Sequence, residues 1–341
     1  MKFNRIIIIL VFIPFFVFSQ EKQAEKKAKI DVSNFFGRIY TGFYYGLDDN
    51  IKPKSAFGIS TAILVFHHHI SERVKATIIY DVTRTTNAID VSDSLGNFLN
   101  VSYFEGSKYT AFLKMAKISW EFTKNFELSV GQLLNQQYLT VQDKWWGFRY
   151  VNVTYQEAYR YGMPADFGAR ITYNHHNILK YSISIVNGDG PFRHQDDNSK
   201  FLVSNNFEVN LFKNAIAKIY FDYEPGSENG SAEKTALSAF AGYKTKNLML
   251  GFEYSKVSNY KFVEANNFDG VSIYSSYRIL QNTKALTRID YGNLLENSKN
   301  NLYFIFGFEH EPAKNFFVSL NYRYDDRIDS NQIHANFGIK F

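Results

Sequence analysis

The sequence has no cysteine, few prolines and, beyond residue 18, no long apolar run. Without cysteine the chain can form neither disulfides nor thiolate metal sites, and it has no N-terminal cysteine to carry a lipid. Only six prolines are present, as expected where most residues donate a backbone hydrogen to a strand ladder. A membrane-spanning helix needs roughly 18 consecutive apolar residues, so any membrane crossing after residue 18 is not helical.

Aromatic residues, by contrast, are in excess. They make up 18% of the 341 residues, with 24 Tyr and 33 Phe, whereas the hydrophobic content of 45% is ordinary. Tyrosine and tryptophan collect where one end of a ring is apolar and the other is hydrated, as at membrane interfaces. The length accommodates two soluble domains or one large barrel.

The N-terminus has the three parts of a secretory signal. Lys2 and Arg5 form a positive region, residues 6–18 are mostly apolar, and Ser19 ends a cleavage site before Gln20. An uncleaved membrane anchor is the alternative, but it needs roughly 20 apolar residues, and this run is shorter. We therefore predict a signal peptide over residues 1–19, a polar periplasmic lead-in over 20–33 and one folded unit over 34–341.

The last ten residues alternate in polarity with a period of two. One face is apolar and the other is polar or small: Ile333, Ala335, Phe337, Ile339 and Phe341 against Gln332, His334, Asn336, Gly338 and Lys340. Such alternation is typical of a β-strand with one apolar face. Because an unpaired strand edge is too costly in a bilayer, this strand predicts pairing with the first strand and closure of a barrel.

From residue 34 onward the sequence divides into sixteen alternating segments. Their lengths suit a bilayer-crossing strand, which needs roughly 9–11 residues. In three of them, 56–67, 107–122 and 232–245, small residues make the alternation less clear. The segments are 34–46, 56–67, 73–85, 107–122, 125–134, 165–175, 178–187, 201–212, 215–223, 232–245, 247–256, 268–279, 282–291, 301–310, 314–325 and 331–341.

The connections between these segments alternate in length. Short ones contain Asn, as in Lys124-Asn125 and Lys213-Asn214, because Asn suits tight turns. Between them lie longer polar loops, of which residues 135–164 form the longest. Short turns at one rim and long loops at the other predict an all-β fold, a transmembrane antiparallel β-barrel of sixteen strands. A soluble β-sandwich explains neither this alternation nor the aromatic excess.

The face opposite the apolar one then lines a lumen too wide for side chains to fill. Two interpretations of its charges stay open: a network of pairs that keeps the wall hydrated, and a wall specialised for anions. The alternation along each strand places side chains of both charges inside the barrel. The positive ones are Arg38, Lys75, Arg170, Lys180, Lys218, Arg278, Arg288, Arg323 and Lys340, and the negative ones are Asp81, Glu208, Asp222, Glu253, Asp290, Glu309 and Asp325.

The loop over residues 135–164 is the third of the long connections, and loops of this length are usually functional. We predict that it folds into the lumen, where cationic groups at a constriction attract and partly dehydrate anions. If it stays outside, Trp145 and Trp146 lie instead at the membrane interface. The predicted constriction and lumen residues are Lys144, Arg149, Arg160, Arg170, Arg288 and Arg323.

Residues 164–170 (Pro-Ala-Asp-Phe-Gly-Ala-Arg) and 185–190 (Ile-Val-Asn-Gly-Asp-Gly) follow this loop. Together with the first hairpin, residues 46–59, they resemble the phosphate-selective porin family and its Bacteroidetes relatives. The C-terminal Phe is similar to the insertion signal of bacterial outer-membrane barrels. The resemblance implies a homotrimeric porin that passes small hydrophilic or anionic solutes through the outer membrane of a Gram-negative cell. Phosphate selectivity is not carried over, because acidic residues interrupt the Arg and Lys of the predicted lumen.

The sequence therefore predicts a passive diffusion channel with a mild preference for anions, not an enzyme, and without cofactor or metal. An outer-membrane lipase or protease is one alternative, and such barrels have about ten to twelve strands. A transporter of hydrophobic compounds is another, and it needs an apolar lumen and a plug.

Two groups of residues could suggest metal sites, but a simpler interpretation fits each better. The three histidines at residues 67–69 lie at a strand end and fit a hydrated rim. The acidic residues fit a hydrated loop: Asp189, Asp196 and Asp197. The Lys and Arg are spread along the chain, which does not indicate nucleic acid.

Overall fold

The computed structural model describes residues 33–84, 89–92, 98–101, 109–192, 195, 200–226, 231–294 and 299–341. The predicted signal peptide and all but the last residue of the predicted lead-in lie outside the described residues.

Sixteen strands of the described residues form one closed antiparallel barrel, and two further strands, β4 and β5, pair separately as a hairpin. The strands are β1 (Ser33–Gly46), β2 (Ser55–His69), β3 (Val74–Arg84), β4 (Ile89–Ser92), β5 (Phe98–Val101), β6 (Tyr109–Glu121), β7 (Phe126–Leu134), β8 (Ala165–His175), β9 (Leu179–Val186), β10 (Leu202–Phe212), β11 (Ala215–Glu224), β12 (Lys234–Lys244), β13 (Leu248–Ser258), β14 (Phe268–Leu280), β15 (Thr283–Asn293), β16 (Asn301–Ala313), β17 (Phe316–Asp325) and β18 (Ser330–Lys340).

The barrel closes between its first and last strands. β1 pairs with β18 from Arg38 opposite Lys340 to Gly46 opposite Gln332. Beyond this ladder, the Phe341 amide donates to the Gly37 carbonyl over 3.0 Å and the Gly37 amide donates back over 2.7 Å. The predicted closure is confirmed, and the barrel has no unpaired edge where another strand could add.

The connections alternate in length as predicted, which defines two ends of the barrel. At the short-turn end, neighbouring strands are joined by tight turns such as residues 213–214 between β10 and β11. At the long-loop end lie the longer connections, including residues 135–164, here named L3. The hairpin of β4 and β5 lies in the long connection between β3 and β6. It was not predicted from the sequence. Its four-residue strands are shorter than the roughly 9–11 residues of a crossing strand, so they pair only with each other.

The two faces of the strands differ as the alternation predicts. Phe306 and Phe308 on β16 point outward, with 45% of each side chain exposed, while Tyr303, Ile305 and Glu309 of the same strand are buried inside. The last strand repeats the pattern, since Ile333, Phe337 and Ile339 are exposed outward. An apolar outer face and a mixed inner face therefore extend around the barrel.

L3 carries two short helices, α1 (Val141–Trp146) and α2 (Tyr155–Ala158), and a 3-10 turn, Tyr260–Phe262, follows β13. Both L3 helices lie against the inner wall, with Trp146 and Tyr155 each 1% exposed. The prediction that the third long loop folds inward is confirmed. In the part of the chain that the structure describes, no helix is long and apolar enough to span a membrane.

Candidate functional site

Aromatic side chains of L3 pack the loop against the inner wall of the barrel. The Trp146 ring lies 5.5 Å from the Tyr274 ring of β14, and Tyr161 lies 4.9 Å from Phe268 of the same strand. These contacts belong to one buried apolar cluster that joins L3 to the wall. Edge-to-face contacts of this kind each add about 0.5–1.5 kcal/mol beyond burial, so L3 is a packed layer rather than a free loop.

Two glycines on the inner wall allow this close packing. A Cβ added at Gly242 on β12 would lie 2.5 Å from Nε1 of Trp145, and one at Gly338 on β18 would lie 3.0 Å from Cβ of Tyr150. Both positions therefore need a residue without a side chain, because the L3 aromatic side chain occupies that space.

Polar contacts fix the two helices of L3 in addition. The Lys218 ammonium on β11 donates to the Gln136 carbonyl at 2.6 Å and to the Gln137 carbonyl at 2.8 Å. Gln156 on α2 donates to Ser238 Oγ at 2.8 Å and to the Glu253 carboxylate at 2.9 Å. L3 is thus held by strands β11, β12 and β13, and the inward placement predicted for Lys218 and Glu253 is observed.

Two of the predicted site arginines are neutralised by carboxylates. Arg288 is 1% exposed and its Nη2 lies 2.7 Å from Asp290 Oδ2. Arg149 on L3 donates to Asp143 at 2.9 Å and to Glu157 at 2.6 Å. Burial by itself would lower the pKa of the Arg149 guanidinium, but Glu157 and Asp143 outweigh it and raise this pKa above its usual value. Arg149 therefore stays charged, and two carboxylates of the same loop more than offset its charge.

Two other predicted arginines carry an unbalanced charge. Arg323 on β17 donates to the Val151 carbonyl of L3 at 2.6 Å and to Asn336 Oδ1 at 3.1 Å. Arg170 on β8 donates to Ser184 Oγ and to the Leu134 carbonyl, both at 2.8 Å. All of these acceptors are neutral, and within the described ranges neither arginine forms an ion pair with a carboxylate. Both guanidinium groups thus keep a net positive charge.

The remaining predicted residues are exposed. Lys144 lies on α1, and Arg160 lies at the end of α2 in a left-handed backbone conformation with φ of 57°. The six predicted residues thus fall into three pairs. One pair is neutralised, one is charged on the wall, and one is exposed on L3.

Cavities remain on both sides of L3. The first, here named the long-loop chamber, has about 440 Å³ between L3 and strands β8–β13 and is lined by Arg160, Arg170 and Asp222 among others. A second of about 380 Å³ lies between L3 and strands β1 and β2 and is lined by Arg323 and Asn336. A third, of about 290 Å³ at the short-turn end, is lined by basic side chains: Lys244, Lys246, Arg278, Lys284 and Lys340. L3 therefore narrows the lumen without filling it.

The sequence did not reveal the partners of L3. Inward Gly242 and Gly338 were the available signal, because a glycine inside a strand indicates a close approach by another group. The ion pairs of Arg149 gave no signal, since residues of an irregular loop have no fixed spacing. Among the described residues, no group of three or more His, Cys, Asp or Glu side chains is arranged to hold a metal ion. Asp196 and Asp197 of the acidic loop lie outside the described residues.

No family model matches the sequence, and no curated protein matches it. Solved structures do match. OmpF of Salmonella typhi in complex with daunomycin is 12% identical, with a TM-score of 0.63, and the match covers 91% of this chain and 97% of that one. A loop-deletion mutant of OmpT, an outer membrane protein of Vibrio cholerae, is 13% identical with a TM-score of 0.58, over 91% and 99%. A mutant of the Rh. blastica porin is 11% identical with a TM-score of 0.55, over 91% and 100%. The chain therefore has the sixteen-strand barrel fold of the porins.

Proposed function

We propose that this protein is an outer-membrane porin, a passive channel for small hydrophilic solutes with a mild preference for anions. One observation supports this function above the others. A closed barrel with an apolar outer face holds an inward loop, L3, and charged cavities remain beside that loop. An apolar surface facing lipid and a polar lumen are what a diffusion channel requires.

L3 sets the size limit in this proposal. L3 lies across the lumen as a packed layer, so a solute passes through the cavities that remain beside it. The walls of these cavities carry hydrogen-bonding groups that replace part of the hydration of a solute. Because the channel has no moving gate in this mechanism, solutes pass down their concentration gradients.

The preference for anions comes from the unbalanced guanidinium groups. Arg288 and Arg149 have their charge cancelled by neighbouring carboxylates, so they contribute little to the field in the pathway. Arg170 and Arg323 have only neutral acceptors and keep their field. A fixed charge next to a low-dielectric wall raises the local concentration of counter-ions, here anions.

Reversal potentials in asymmetric KCl across a planar bilayer test this proposal. The wild-type channel is expected to favour chloride, and Arg170→Gln with Arg323→Gln is expected to shift the reversal potential toward cations. The matched control is the double variant Arg288→Gln with Asp290→Asn, which removes a charged pair without changing the net charge and should leave the potential unchanged. A cation-selective wild-type channel, or an equal shift in the control, contradicts the assignment.

The strand count supports a channel over the enzyme alternative. Sixteen strands close this barrel, and a barrel of that size has a lumen too wide for its side chains to fill. A carrier of hydrophobic compounds is less well supported, because the lumen holds Lys218, Glu253, Arg288 and Asp290.

We place the protein in the outer membrane of a Gram-negative cell, reached through the predicted signal peptide and surrounded by lipid. We also propose a homotrimer, for which the trimer form of OmpT of Vibrio cholerae is a precedent of the same fold. The relation to the phosphate-selective porins and their Bacteroidetes members stays a prediction from the motifs after L3.

A further inference from the structure

A row of four inward residues crosses the wall of the long-loop chamber. Arg170 on β8 is opposite Ser184 on β9, Ser184 is opposite Ser204 on β10, and Ser204 is opposite Asp222 on β11. All four line the chamber. The row therefore has a positive end, a negative end and two serine hydroxyls between them.

Among the described residues, neither charged end of the row forms an ion pair, and Lys234, which also lines the chamber, pairs with Glu224 instead. The Asp222 carboxylate accepts from the Tyr220 hydroxyl and from the Ala236 amide, both at 2.9 Å. Arg170 donates to a hydroxyl and a carbonyl, as described above. Within the described ranges, neither residue takes part in an ion pair. A second carboxylate of the chamber, Asp166, is likewise held by backbone amides, those of Phe167 and Gly188.

The spacing of the row selects a ligand length. Three interstrand steps of ~4.8 Å separate the Cα atoms of Arg170 and Asp222 by roughly 14 Å. The Arg170 guanidinium stops one hydrogen bond, 2.8 Å, short of the Ser184 hydroxyl, so two further steps of ~4.8 Å leave roughly 12 Å between the charges. An extended dipeptide spans ~7 Å, and one hydrogen bond of about 3 Å at each end brings the total to ~13 Å.

From this row we propose that the long-loop chamber is a binding site for zwitterionic solutes of dipeptide size. The solute carboxylate pairs with Arg170, and its ammonium group pairs with Asp222, with Asp166 as a neighbouring carboxylate. The rings of Tyr138 and Tyr220, which line the chamber, contact the apolar parts of the solute. The site rests on the proposed function, because it holds a solute on its way through the channel.

Single-channel recordings with four probes test the site. Alanyl-alanine carries both charges near neutral pH, its N-acetyl derivative lacks the ammonium group, its amide lacks the carboxylate, and glucose is neutral. Each probe is added to either side of the bilayer in turn. Alanyl-alanine is expected to interrupt the KCl current at a concentration at least tenfold lower than any of the other three.

Two variants, each of which removes one charge, test the two ends of the site separately. Arg170→Gln should make alanyl-alanine no better than its amide, and Asp222→Asn should make it no better than its N-acetyl derivative. Lys213→Gln, in the short turn between β10 and β11 and outside the chamber, is the matched loss of one charge and should preserve the full preference.

The outcomes distinguish this site from the function on which it rests. If the channel conducts KCl but alanyl-alanine interrupts the current no better than glucose, or if both variants keep the full preference, the site is overturned and the channel stands. If the correctly folded protein conducts no ions, the proposed function itself fails.

Discussion

Lys218 Nζ lies 2.6 Å from the carbonyl oxygen of Gln136, although 82 residues separate the two in the sequence. The same ammonium also contacts Thr140 Oγ1 and Gln142 Oε1, each at 2.7 Å. Lys218 is 1% exposed, and a buried charge is tolerated only where polar groups surround it. Strand β11 therefore fixes the start of L3 through this one side chain.

Replacing Lys218 by Met should release the start of L3 while leaving the strand ladder intact. The change removes the charged donor from the carbonyls of Gln136 and Gln137, which keep only the side chains of Thr140 and Gln142 as donors, and a hydrogen bond to a charged group contributes about 1.5–3 kcal/mol. We expect a noisier and larger single-channel current and faster proteolysis within residues 135–164. Lys213→Met, in the short turn between β10 and β11, is the control, and equal behaviour of the two variants would argue against the anchor.

A side chain at Gly242 should displace α1 from the wall. In Gly242→Val the new Cβ would lie 2.5 Å from Trp145 Nε1, and this ring also donates to the Leu250 carbonyl at 3.1 Å. We expect an altered conductance with normal assembly of the barrel. Adding Trp145→Ala removes the clash and should restore part of the original conductance. If Gly242→Val by itself conducts like wild type, the close packing of α1 is incorrect.

A charge on the outer face should destabilise the barrel according to its depth. Ile273 lies in the middle of β14, and 52% of its side chain is exposed outward. Lysine at the bilayer midplane costs about 2–4 kcal/mol, but only about 0–1 near an interface. Urea unfolding in lipid vesicles should therefore show a large loss of stability for Ile273→Lys and a small one for Leu280→Lys at the strand end. Equal losses would mean that lipid does not surround this face.

Phe341 should contribute to assembly through its backbone and its ring separately. Its amide and carbonyl bond Gly37 across the seam, and its ring covers Gly37 on the outer face. Deleting Phe341 removes both contacts, so we expect less of the heat-modifiable, folded form in the outer membrane. Phe341→Ala keeps the backbone bonds and should give an intermediate yield. Normal assembly of the deleted form would remove Phe341 from the assembly signal.

Strand alternation was sufficient to predict most of the fold. On β16, the outward Phe306 and the inward Glu309 follow directly from a period of two in the sequence, because successive side chains of a strand point to opposite faces. In two of the three segments whose alternation is unclear, a β-bulge explains the irregular pattern. Ser60 on β2 and Lys114 on β6 are extra residues at register shifts, and such a bulge reverses the parity of the residues beyond it.

The charges of the site were less predictable than their positions. Parity correctly placed Arg288 and Arg323 inside, but it could not tell that Asp290 pairs with Arg288 while Arg323 donates only to neutral acceptors. In L3, Arg149 pairs with carboxylates six and eight residues away, a spacing that no regular structure imposes. The predicted cationic constriction at Arg149 is instead a cluster of one guanidinium and two carboxylates, and the anion preference is assigned to Arg170 and Arg323.

Liposome swelling measures most directly whether water and small solutes pass beside L3. Liposomes that contain the folded barrel should swell quickly in arabinose, more slowly in disaccharides and hardly at all in tetrasaccharides, because the space between L3 and the opposite wall limits solute size. If liposomes that contain demonstrably folded protein do not swell even in arabinose, the lumen is closed and the channel function is contradicted.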